Sequence, residues 1–112
     1  TFEDAAAREI LEETGIADAV IGPVVWLREG VLEIPQPMLF KECYLVARCA
    51  GAEPSRDGWN ALERDLIDDV RWWTLGELEL TTDGVFPPGL AHRLPPILAG
   101  QFPAEPERIP WR

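Results

Sequence analysis

Serine and histidine each occur once in this chain of 112 residues, as Ser55 and His92, and cysteine occurs twice, as Cys43 and Cys49. A Ser/His/Asp triad would have to use Ser55, which follows a proline in a turn-rich loop and has no elbow motif around it. His92 has no cysteine or acid at ligand spacing within its proline-bounded segment, which argues against a zinc role. The two cysteines lie six apart on one extended run, roughly 20 Å from each other, too far to be bridged. Free thiols are therefore expected, and with them a reducing, cytoplasmic setting. No apolar run approaches the roughly 20 residues that span a bilayer. Neither phosphate-cradling glycine motif, the P-loop nor the dinucleotide fingerprint, is present. There is no internal repeat and no low-complexity tract. Positive charge is scarce too: ten Lys and Arg against twenty Asp and Glu give a net charge of −10 and a pI near 4.4. That balance argues against non-specific nucleic-acid binding and against acidic membranes. An anionic ligand would need a cation to bring it in.

What is present reads as one small globular domain, with 46% hydrophobic and 27% charged residues. Thr1 and Asp4 resemble a capping box, helix formers follow, and Gly15 supplies a C-terminal stop, so a helix is expected from Phe2 to Thr14. Phe2, Ala6, Ile10 and Leu11 would form its packing face. "AVIGPVVWLREGVLEI" reads as two β-rich runs turning at Arg28-Glu29-Gly30, a hairpin, and "PQP" as a loop or strand edge. Met38 to Cys49 is the strongest strand signal. "WNALERDLIDD" fits either a short helix or an extended loop. "VRWWTL" reads as a strand that would put one of Trp72 and Trp73 in the core, and Leu75 to Leu80 as the start of a helix. "PPGLAHRLPPILAG" reads as a helix cut at Pro95-Pro96, and the tail from Gln101 as an extended surface segment. The class is α+β.

The first helix carries the chemistry. "AAAREILEETGI" places Glu9, Glu12 and Glu13 within a helical sector of roughly 100°, with Glu12 and Glu13 at i+3 and i+4 from Glu9. Like charges so placed cost a few tenths of a kcal/mol per pair, and only Arg8 is near to offset them. A solvated acidic face and a site for a hard divalent cation explain this equally well by spacing alone.

The residue order separates them. "REILEETGI", Arg8 to Ile16, resembles the second half of the Nudix box, the signature of the Nudix hydrolases. Five fixed residues and two aliphatic positions match by chance at about one start in 10⁷. "VRWWTLGEL" is similar, far less specifically, to a late strand-to-helix passage of the family. The box's earlier glycine and first glutamate would fall before Thr1, so the protein is expected to extend further N-terminally; the domain, residues 1–112 as given, would be N-terminally incomplete. The resemblance implies an α/β/α sandwich around a mixed β-sheet and metal-dependent hydrolysis of a pyrophosphate bond in a nucleoside diphosphate joined to another group. It implies that Glu9, Glu12 and Glu13 hold Mg²⁺ or Mn²⁺, that Glu12 or Glu13 can take a proton from the attacking water, and that Arg8 orients the glutamates. Gly15 would turn the chain off the helix.

Family members often add a distal acid. Glu63 is the first candidate here as a further metal ligand, followed by Asp65 and Glu42. Five tryptophans are many for this length. Trp26, Trp59 and Tyr44 are the candidates for contact with a nucleotide substrate, although large aromatics more often pack cores. Homodimerisation is compatible with the resemblance. Two rival readings are a nucleotide-binding module that does not cleave its ligand and an acidic protein-interaction domain.

Overall fold

The structure, a computed structural model, describes residues 1–33, 35–66 and 70–111. In chain order these residues form α1 (Phe2–Thr14), β1 (Val20–Leu32), β2 (Met38–Arg48), α2 (Ala61–Leu66), α3 (Leu75–Leu80), α4 (Leu90–Leu98) and β3 (Glu107–Arg108). The class is α+β, with a three-stranded mixed sheet in the order β2-β1-β3. No helix among the described residues is long and apolar enough to cross a membrane. The residues gather into two compact units. One comprises Thr1–Gly22 and Ala47–Trp73, the other Pro23–Val46 and Thr74–Arg112.

In the first unit α1 matches the expected helix at both ends. Thr1 Oγ1 accepts from the Asp4 N–H at 3.1 Å, and Gly15, at φ 74°, donates its N–H to the Leu11 carbonyl at 2.8 Å. The left-handed φ is why glycine stands there. The expected packing face is only partly used: Ala6 and Ile10 are half-buried, while Phe2 and Leu11 stay exposed. Ile10 and Thr14 instead line an apolar cavity of about 180 Å³ with Ile16, Ala19, Ala47, Cys49 and Trp72. Residues 70–74 are not a strand, and Trp72 and Trp73 are 49% and 38% exposed, so neither is core. Side chains hold this stretch where ladder bonds were expected. The Trp72 indole N–H donates to the Ala52 carbonyl at 2.8 Å, and the Arg71 guanidinium lies 3.6 Å from the centre of the Trp73 ring. "WNALERDLIDD" is resolved as α2; its last residues, 67–69, lie outside the described residues.

The second unit holds the main buried cluster: Val25, Trp26 and Ile109, with Tyr44, Val46, Leu90, Leu94, Ile97 and Phe102 packed against them. Here three expectations are corrected. The hairpin at Arg28-Glu29-Gly30 is one continuous strand, β1. Gly30 does not turn the chain; it makes room, since a Cβ there would fall 1.9 Å from Cδ2 of Trp111. The helix at Pro95-Pro96 is not cut, because α4 runs through both prolines to Leu98. Two i→i−4 bonds are forfeited, at about 0.5–1.5 kcal/mol each. The stripe Leu90, Leu94 and Ile97 against the core offsets that loss, at about 1.5–3 kcal/mol for each side chain were it fully buried. Finally, the tail is more than a surface strap. Glu107 and Arg108 pair in parallel with Trp26 and Leu27, and the Ile109 N–H donates to the Leu27 carbonyl at 2.8 Å, which buries Ile109.

Candidate functional site

Glu9, Glu12 and Glu13 are all exposed on α1, and Glu12 and Glu13 occupy its last turn. A helix C-terminus carries partial negative charge, so acids are disfavoured there, and no basic residue stands in that turn. Arg8 reaches only one of the three: its Nε lies 4.0 Å from Glu12 Oε1, with both side chains well exposed. Such a surface pair contributes little. The Glu13 carboxyl is raised above its ordinary value of 4.5, first by burial, then by repulsion from Glu9, Glu63 and Glu12. Its neighbours therefore make a field of uncompensated negative charge.

Glu63 belongs to that field although it stands fifty residues further along the chain. The last carbonyls of α1 need partners, as every helix end does. They receive them from the segment 55–59. The Ser55 N–H donates to the Thr14 carbonyl at 2.7 Å, and the Trp59 indole N–H donates to the Glu13 carbonyl at 2.5 Å. Gly58 presses on the Glu12 carbonyl so closely that a Cβ would stand 2.7 Å from the oxygen. Trp59 is 5% exposed, with the Arg56 guanidinium 5.5 Å from its ring centre. The chain leaves this contact directly into α2. There Asn60 Oδ1 accepts from the Glu63 N–H at 2.8 Å while Glu63 Oε1 accepts from the Asn60 N–H at 3.0 Å.

Of the other candidate acids, Asp65 is exposed on α2 and Glu42 lies on β2 in the second unit. Neither is among the acids that raise Glu13. Glu42 is committed elsewhere. Its Oε2 lies 2.9 Å from Arg28 Nε and accepts the Tyr44 hydroxyl. Arg28 is 7% exposed, 4.3 Å from the Trp111 ring centre and 5.8 Å from that of Phe86. The Tyr44 hydrogen bond, followed by the Arg28 interaction, holds the Glu42 carboxyl below its ordinary value despite some burial.

The aromatic candidates are taken up by packing. Trp26 is 6% exposed in the core cluster, and its ring centre lies 6.1 Å from that of Tyr44. Trp59 is the indole cap of α1. Sequence reasoning missed Ser55, Gly58 and Asn60 altogether. Asn60-Ala-Leu-Glu63 carried a readable signal, the N-cap residue with an acid three further on. The Trp59 bond carried none, because its partner lies 46 residues away.

Four carboxylates are the donor type that hard divalent cations prefer, and the set lacks the positive charge to neutralise it. By chemistry and charge it fits Mg²⁺ or Mn²⁺. It is not pre-assembled: among the described residues no three Asp, Glu, His or Cys side chains converge on one point. Mutually repelling side chains on an exposed helix splay apart until a cation offsets their charge.

Comparison with known proteins gives one match. The model of the NUDIX domain matches residues 1–94. No curated protein and no solved structure matches the chain. The α+β class and the mixed sheet agree with the α/β/α arrangement that the box resemblance implies. The match covers far more than half of the 112 residues, and the chain belongs to the Nudix family.

Proposed function

We infer that this chain does what Nudix domains generally do, hydrolysing a nucleoside diphosphate derivative with the help of divalent metal. In this reading it cleaves a pyrophosphate bond in a nucleoside diphosphate joined to another group, with Mg²⁺ or Mn²⁺ held by Glu9, Glu12, Glu13 and Glu63. The observation that carries this reading is the NUDIX-domain match over residues 1–94, which takes in Glu9, Glu12 and Glu13 on α1 and Glu63 on α2, with Arg8 as the only cation on α1.

A bound cation would neutralise the phosphates and polarise the phosphorus–oxygen bonds. The protein's own share is orientation and proton transfer. Water attacks one phosphorus, the bridging phosphorus–oxygen bond breaks, and the departing phosphate leaves with that oxygen. The proton lost by the water goes to a carboxylate. Glu13 suits that task among the α1 glutamates, since its carboxyl is raised toward neutrality by burial and by its acidic neighbours. Glu12 and Glu63 are the alternatives. Trp26 packs in the core cluster and the Tyr44 hydroxyl is held by Glu42, and this reading gives neither a step. The free thiols of Cys43 and Cys49 suit a reducing, cytoplasmic setting. The test is hydrolysis of a panel of nucleoside diphosphate derivatives with and without Mg²⁺, in the wild type and in Glu13→Gln.

A further inference from the structure

His92 and Arg93 stand side by side on α4, and both line a cavity of about 190 Å³ within the second unit. Trp26, Ile97, Gln101 and Glu107 are among its other walls. The register of β3 brings two of these together, since Glu107 pairs with Trp26. Trp26 is buried and Ile97 half-buried, whereas His92, Gln101 and Glu107 are exposed. The cavity therefore has an apolar floor and a polar rim.

Acids outnumber Lys and Arg by twenty to ten in this chain, so an arginine without an acid is unexpected. Among the described residues, Arg28 and Arg93 each have a buried side-chain nitrogen that makes no hydrogen bond. Arg28 still has the Glu42 carboxylate 2.9 Å from its Nε. Arg93 is half-buried with its Nε fully buried, and its side chain forms no ion pair and no hydrogen bond with any described residue. A buried donor on a charged group is costly to leave unmade, so it calls for a partner. Size narrows the partner. Pockets for drug-sized ligands run to about 300–1,000 Å³, so this cavity is too small for a whole nucleoside diphosphate derivative and admits a small oxyanion.

We propose that this cavity binds a small oxyanion, a phosphate or a short carboxylate, on the Arg93 guanidinium, with His92 and Gln101 as further donors at the rim. The site uses none of the acids on α1 or α2. A guanidinium offers either oxyanion two parallel N–H donors. Glu107 works against the anion, as a like charge on the same cavity.

His92 is the only histidine, so its imidazole gives a single NMR signal that reports on the cavity. That signal is followed in the full chain as inorganic phosphate or acetate is added at fixed pH and ionic strength, with chloride as the control. Saturable movement with phosphate, with acetate or with both supports the site and identifies the oxyanion it takes. Arg93→Gln weakens that binding about tenfold or more, the worth of a hydrogen bond to a charged group. Glu107→Gln, at an exposed position, tightens it a few-fold. Loss of fold can only weaken binding, so the tightening decides the matter even if Arg93→Gln unfolds. A signal that moves no more than with chloride, wild-type affinity in a folded Arg93→Gln, or no tightening in Glu107→Gln would overturn the proposal.

Discussion

Trp59→Phe keeps an aromatic ring beneath the end of α1 and removes the donor that reaches the Glu13 carbonyl. The indole N–H lies 2.5 Å from that oxygen, and the side chain is 5% exposed, so water cannot freely replace it. An acceptor stranded at such a place costs about 1–3 kcal/mol. The smaller ring also leaves a void, for about 1 kcal/mol more. The sum, about 2–4 kcal/mol, is a large part of the 5–15 kcal/mol that holds a typical domain together. At about 4 °C per kcal/mol for a chain of this size, the melting temperature should fall by about 8–16 °C. Differential scanning calorimetry on the metal-free protein measures this directly. A fall of less than about 2 °C would show that the indole bond does not anchor the segment 55–59 to α1.

The remaining predictions concern the two perturbed glutamates. Glu13 has a raised carboxyl, so its contribution to stability is present below its ordinary value of 4.5 and is lost as pH rises through the raised folded value. In chelator-treated protein, the melting temperature of the wild type should therefore fall relative to that of Glu13→Gln across that range; a constant difference would contradict the raised carboxyl, which burial causes first and its acidic neighbours second. Glu42 is the opposite case. Its carboxyl is lowered, chiefly by the Tyr44 hydroxyl, so its contribution is present above 4.5 and is lost as pH falls through the lowered folded value. Tyr44→Phe should move the acid-unfolding midpoint to higher pH, and an unmoved midpoint would refute the assignment of Tyr44 as the main cause.

Local signals made the site helix legible. Thr1, Gly15 and the order of residues from Arg8 to Ile16 define α1 and its glutamates without reference to any distant residue. What failed were inferences in which tertiary packing overrides a local rule. Gly30 looked like a turn because glycine usually frees the backbone; here it admits the Trp111 ring. Pro95 and Pro96 looked like a helix end, but the apolar stripe of α4 keeps the helix intact across them. Trp72 and Trp73 looked like alternating strand residues, yet an indole–carbonyl bond and a stacked arginine hold them. Glu63 was preferred among the acids by its place upstream of "VRWW"; in the structure its charge is among those that raise Glu13, and the bond that ties the neighbouring Trp59 to the Glu13 carbonyl spans too much sequence to be read there.

The central claim is that the acids on α1 and Glu63 form a metal-dependent catalytic site. It is tested most directly by turnover of nucleoside diphosphate derivatives, compared between the wild type and Glu13→Gln, with Mg²⁺ and with chelator. The account predicts hydrolysis by the wild type only with Mg²⁺, and a loss of orders of magnitude in Glu13→Gln with nucleotide binding retained. Turnover that survives the substitution, or that ignores the chelator, would contradict it.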